Sequence, residues 1–131
     1  MRTRSAAAQS FKLLVKSIPA RQTAYLLDIF RSVKAIQSYV AGQTHEQFLE
    51  DAKTQDAVLR RFLVAGEAAR LTPETCAQFA NVPFHKIVGM RNRVVHDYGN
   101  VDFEIVWETV QTHLPSLFQD LQDFFAERGE P

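Results

Sequence analysis

Tyr25-Leu26-Leu27-Asp28-Ile29-Phe30-Arg31-Ser32-Val33-Lys34-Ala35-Ile36 decides the fold class. Within and just beyond it, Tyr25, Leu26, Ile29, Phe30, Val33, Ile36 and Val40 recur at steps of three and four. That repeat lines one face of an α-helix, so residues 22–41 read as one long amphipathic helix that Gly42 ends. Outward from it the same period continues. Thr44 with Gln47 three residues on forms a capping box for a short helix presenting Phe48 and Leu49. Residues 54–70 form the next long helix, burying Val58, Leu59, Phe62, Leu63, Ala65 and Ala69. Thr72-Pro73 starts a short piece over 73–79, and Asn81 to Pro83 is a turn. A further helix runs from Phe84 to Tyr98 and stops at Gly99-Asn100. Asp102 caps a last helix to Arg128, carrying Phe103, Val106, Trp107, Val110, Leu114, Leu117, Leu121 and Phe124. Pro115 inside it should bend or break it. No alternating β pattern and no repeat is present. Short connections favour antiparallel neighbours. The expected fold is all-α, a small up-and-down bundle of four to five helices over residues 21–128.

The chain has 131 residues, 46% of them apolar, which fits one domain with one core. Charges balance at 15 basic and 15 acidic. No field of one sign covers the molecule, so any RNA binding must come from a local cluster. Lys86, Arg91 and Arg93 form the candidate cluster. A lone cysteine, Cys76, forms no internal disulfide and argues against zinc; it fits a small buried residue in a reducing, cytoplasmic setting. No convergent carboxylates suggest magnesium, and glycine-rich phosphate loops and serine-nucleophile elbows are absent. No metal or cofactor is therefore expected. No apolar run reaches the roughly 18 residues of a membrane span. Residues 1–20 carry Arg2, Arg4, Lys12 and Lys16 without an acid, and are expected to be a loosely ordered extension.

Chemistry concentrates in Arg91-Asn92-Arg93-Val94-Val95-His96-Asp97-Tyr98-Gly99. Arginine offers a planar cationic fork that suits phosphate. Histidine moves a proton near neutral pH. Tyrosine adds a hydroxyl that can bind or be modified. With Arg91 set at 0° and about 100° per residue, Phe84 falls at about 20°, Ile87 at about 320°, Val88 at about 60°, Val94 at about 300°, Val95 at about 40° and Tyr98 at about 340°. Arg91 thus sits amid the apolar stripe, where a guanidinium needs partners. Two outcomes stay open: a buried ion pair, or the rim of a groove or subunit interface. Glu67, a charge within Gly66-Glu67-Ala68-Ala69, could pair with Arg91 or with another arginine.

His96, at about 140°, and Asn92, at about 100°, form an i, i+4 pair. His96 could equally be a helix-end residue facing carbonyls. His45, His85 and His113 show no partner pattern and read as surface or packing residues. Arg91 and His96 could converge through the long arginine side chain, through unwinding near Gly99, or across a twofold axis between two chains.

With Thr54-Gln55-Asp56-Ala57-Val58, Gly66-Glu67-Ala68, Ile87-Val88-Gly89-Met90-Arg91-Asn92 and Ile105-Val106-Trp107, the motif resembles the HepT-like branch of the HEPN ribonuclease toxins. The resemblance runs from about Thr23 to Phe125 and leaves out the first twenty residues. It implies a homodimer with the motif lining an interface cleft, and metal-independent cleavage of RNA. By position it implies Arg91 and His96 as the catalytic pair, assisted by Asn92; the basic cluster itself makes Arg93 and Lys86 the expected RNA-binding residues. It further implies a toxin of a type II toxin–antitoxin pair. The antitoxin would be a minimal nucleotidyltransferase that transfers AMP to Tyr98, held with the toxin in a larger hetero-oligomer. The alternative function is a non-catalytic helical subunit on which such a nucleotidyltransferase docks.

Overall fold

The computed structural model describes residues 18–128. Residues 1–17, most of the expected extension, lie outside the described residues, as do 129–131. The described body begins with Ile18, which is buried in the core. Seven α-helices follow in this region: α1 Ala20–Val40, α2 His45–Glu50, α3 Ala52–Ala68, α4 Pro73–Ala77, α5 Phe84–His96, α6 Phe103–Thr112 and α7 Leu114–Glu127. A 3-10 turn, Tyr98–Asn100, joins α5 to α6. The described residues contain no strand, so the all-α expectation holds. The four to five helices foreseen correspond to α1, α3, α5 and the α6–α7 pair. Short α2 and α4 fill two of the connections.

Local chemistry explains most boundaries. Gly42 adopts φ +79, the left-handed conformation that a side chain disfavours, and the chain turns there after α1. At α2, Thr44 accepts from the Gln47 N–H while the Gln47 side chain accepts from the Thr44 N–H, completing the foreseen capping box. Asp51 ends α2 and begins α3, taking hydrogen bonds from the Thr54 N–H at 3.1 Å and its hydroxyl at 2.6 Å. This cap starts α3 at Ala52, ahead of the residue 54 expected from apolar spacing alone. Those contacts, the Thr54 hydroxyl foremost, hold the Asp51 carboxyl below its usual range. Pro115 falls in the first turn of α7. There its missing N–H costs nothing, so the foreseen long last helix breaks at His113 into α6 and α7.

The layers follow from which faces are apolar. α1 packs along α3, and α3 along α5, the two most extensive helix pairings; α7 closes over α1. Leu26, Ile29, Val33 and Ile36 of α1 meet Val58, Leu59 and Phe62 of α3 in one core with Leu117 and Leu121 of α7. Phe30 stacks on Phe118, and Phe124 meets Phe79 edge-on, each pair with ring centroids 5.3 Å apart. α3 is therefore the central helix. It is buried against α1 on one side and lies beneath α5, which carries the motif, on the other.

Candidate active site

The core face of α5 is Phe84, Ile87, Met90 and Val94. On the helical wheel these centre at about 300°, so α3 packs off the centre of the apolar stripe. Arg91 consequently lies at the rim of the apolar stripe, one of the two outcomes left open for it; its side chain is 26% exposed. Beyond it Val95 is 49% exposed, and Tyr98, just past the helix end, 58%. An uncovered apolar flank thus borders the arginine.

Arg91 reaches α3. Its Nε donates to Glu67 Oε1 at 2.8 Å, and its second terminal nitrogen donates to the same oxygen. Its other terminal nitrogen donates to Asn92 Oδ1 at 3.0 Å. Of five N–H groups on the guanidinium, two remain for a ligand. Both outcomes foreseen for Arg91 are therefore combined: an ion pair within the fold, at a solvent-open rim. Glu67 also accepts from Arg70 at 2.7 Å through its other oxygen, so it serves both arginines. The backbone beneath makes the pairing possible. A Cβ on Gly66 would stand 2.1 Å from Arg91 Cβ and 2.4 Å from its Cγ. Only a residue without a side chain lets the root of Arg91 cross α3 at that point.

The Glu67 carboxyl lies below its ordinary value of 4.5, chiefly through the Arg91 hydrogen bonds; partial burial opposes them, and the charges of Arg91 and Arg70 assist. A depressed carboxylate pKa stabilises the fold above the unfolded value. That contribution disappears as pH falls through the lowered folded value. Glu67→Gln should therefore melt earlier than wild type at neutral pH. The gap should close as the pH drops below 4.5, followed by thermal denaturation across a pH series.

His96 is the last residue of α5 and is exposed. Its side chain makes no hydrogen bond or ion pair among the described residues, and so none to Arg91. Five residues apart on a helix, the two diverge by about 140°. Asn92 bonds to Arg91 and not to His96, the i, i+4 partner expected from spacing. The Tyr98 hydroxyl lies 3.5 Å from Asp56 Oδ1 of α3. Lys86 and Arg93 are exposed on the outer side of α5. Of the remaining histidines, His45 pairs with Glu104 and stacks on Trp107, while His85 and His113 line a groove with Lys86 and Arg93. Among the described residues no three histidine, cysteine, aspartate or glutamate side chains gather as metal ligands. No helix there is long and apolar enough to cross a membrane. Sequence reasoning offers Glu67 as a partner for Arg91 or another arginine, and the structure pairs it with both Arg91 and Arg70; the part played by Gly66 is what it misses. The signal for both is a charge within a run of small residues.

An all-α bundle presenting an arginine fork and an open imidazole on one helix, with an exposed tyrosine in the turn that follows, defines a class of candidates for phosphodiester cleavage. Comparison with known proteins makes it specific. The family described as Ribonuclease HepT-like matches residues 29–124, which include the whole motif. The chain is 34% identical over 94 residues to the "Probable ribonuclease HepT" of Thermococcus cleftensis, covering 71% of this chain and 86% of that one. It is 30% identical over 105 residues to a provisionally named RNase of Methanocaldococcus jannaschii, covering 79% and 87%. A similarly named protein of Caldanaerobacter subterraneus is 30% identical over 104 residues, covering 79% and 93%. No solved structure matches the chain. The chain belongs to the HepT-like ribonuclease family, and its activity is that of a ribonuclease.

Proposed function

We propose that this ribonuclease is a toxin of a type II toxin–antitoxin pair, cutting RNA as a homodimer with no step routed through a metal. One observation carries the reading: Arg91, His96 and Tyr98 all open to solvent beside the uncovered Val95. A second copy docked on that flank would cover the apolar side chains and bring two arginines and two histidines into one cleft. This supplies the convergence that the 140° divergence, about five residues of helix, denies a single chain.

In this scheme a neutral His96 takes the proton of a ribose 2′-hydroxyl. The 2′-oxygen attacks the adjacent phosphorus, and the bond from phosphorus to the 5′-oxygen breaks. His96 of the second copy, protonated, gives its proton to the leaving 5′-oxygen. The products are a 2′,3′-cyclic phosphate and a 5′-hydroxyl. Arg91 uses its two remaining N–H groups on the phosphorane, where negative charge builds. Glu67 and Asn92 hold the guanidinium in place.

The antitoxin is a minimal nucleotidyltransferase that adds AMP to the Tyr98 hydroxyl. The added phosphate and nucleoside stand at the mouth of the cleft, blocking RNA and offsetting the Arg91 charge. The test is co-expression with a minimal nucleotidyltransferase. Wild type should arrest growth alone, lose toxicity with the partner, and gain the mass of one or more AMP units. Tyr98→Phe should stay toxic in the presence of the partner and gain no mass. A Tyr98→Phe chain silenced as fully as wild type would remove Tyr98 from the regulation.

A further inference from the structure

Resting on the ribonuclease reading, we propose that the groove between α5 and α6, closed at one end by His113, is a phosphate track for single-stranded RNA, leading away from His96 along the outer face of α5. The groove encloses about 340 Å³, and its walls include His85, Lys86, Gly89, Arg93, Glu108 and His113. The side chains of Lys86 and Arg93 enter no ion pair or hydrogen bond among the described residues. Arg70 and Arg91, by contrast, are both engaged by Glu67. Unpaired cations in a concave site suit a polyanion, and the imidazoles of His85 and His113 add N–H donors. Because the whole chain is neutral, with 15 charges of each sign, attraction for RNA has to arise in such a place.

Placement favours the same occupant. On α5, His85 falls at about 120°, His96 at about 140°, Gly89 at about 160°, Arg93 at about 200° and Lys86 at about 220°. These form one continuous strip containing the imidazole assigned to catalysis. Arg93 is roughly one turn from His96, and Lys86 is about 15 Å along the axis. That length matches roughly four nucleotides at about 3.4 Å each for a stacked strand. Gly89 opens a gap in the strip: a Cβ built there meets nothing within 4 Å, so a strand can approach the helix closely. The flank of Arg91, Val95 and Tyr98 lies on another side of α5, at about 340° to 40°. RNA in the track and a protein on that flank would not compete for the same surface. Glu108 is the one acid among the lining residues and should weaken the track.

The experiment uses full-length His96→Ala chain, so that RNA is not consumed, and a fluorescein-labelled single-stranded 12-nucleotide RNA. Binding is read by anisotropy from 50 to 200 mM KCl. Adding Lys86→Ala and Arg93→Ala together should weaken binding at least about tenfold and flatten the salt slope by about 1.4, some 0.7 for each phosphate left without its cation. Glu108→Gln should tighten binding several-fold, an effect a damaged fold cannot mimic. Gly89→Leu should weaken binding with every charge in place. Unchanged affinity and slope in both the double variant and Glu108→Gln would overturn the proposal. Cleavage assays with His96 intact separate it from the reading beneath. A chain that cuts RNA with KM unaltered by Lys86→Ala and Arg93→Ala loses the track and keeps the nuclease. A chain that binds RNA through the groove but never cuts it loses the nuclease and keeps the track.

Discussion

Replacing His96 by alanine should slow RNA cleavage by roughly 10²- to 10⁴-fold, the usual contribution of a positioned proton-transfer group. The loss should not be a folding defect. His96 ends α5 and is exposed, and its side chain is bonded to nothing among the described residues. Its removal forfeits at most a favourable interaction with the carbonyl end of the helix, worth about 0.3–1 kcal/mol. Thermal denaturation of the variant should therefore stay close to wild type while single-turnover cleavage of an RNA oligonucleotide collapses. Growth arrest on induction should vanish in parallel. In the proposed cleft one histidine takes a proton and its counterpart gives one, and the substitution removes both at once. A His96→Ala chain that cleaves as fast as wild type would remove the imidazole from the reaction. Attention would then turn to Arg91 and the donors around it.

How much of this is legible in the sequence depends on the range of the interaction that decides each feature. The cap at Thr44 and the turn at Gly42 are settled within four residues, and both read directly from the chain. The break at Pro115 is equally local. α3 starts two residues ahead of its apolar spacing because the Asp51 carboxylate caps it by reaching Thr54, which hydrophobic periodicity does not register. The choice between the two outcomes left open for Arg91 is not legible, for a different reason. Periodicity locates an apolar stripe but not the neighbour covering it. α3 covers only the part of the stripe around Ile87, Met90 and Val94, leaving Val95 and Tyr98 open. Tyr98 reads as part of the helix itself, whereas α5 ends at His96 and the tyrosine opens a 3-10 turn. Glu67 as the partner of Arg91 is a contact across 24 residues of sequence. A charge among small residues can suggest it, but the crossing at Gly66 exists only in three dimensions.

That crossing supports the other large expected effect. Gly66→Ala places a Cβ 2.1 Å from Arg91 Cβ and 2.4 Å from Cγ. These atoms are at the root of the arginine, so no rotation of its side chain relieves the overlap, and α3 and α5 must move apart. Overpacking of this kind costs about 1–3 kcal/mol. The better helix propensity of alanine returns about 1 kcal/mol. A melting temperature lower by several degrees is expected, since each kcal/mol is worth about 4 °C in a domain between the small and mid-sized ranges. Activity should fall further than stability, because the displaced stem carries the guanidinium away from Glu67 and out of the cleft. A double-mutant cycle separates the two effects. In an Arg91→Gly background the obstructing Cβ and Cγ are gone, so adding Gly66→Ala should cost nothing and should recover helix propensity. Cleavage should stay absent in both Arg91→Gly proteins. Additive stability changes around the cycle would mean that the close approach of α3 to Arg91 is not what demands a glycine at 66. The same result would leave the alignment of the arginine to Glu67 and Asn92 alone, without the backbone contact beneath it.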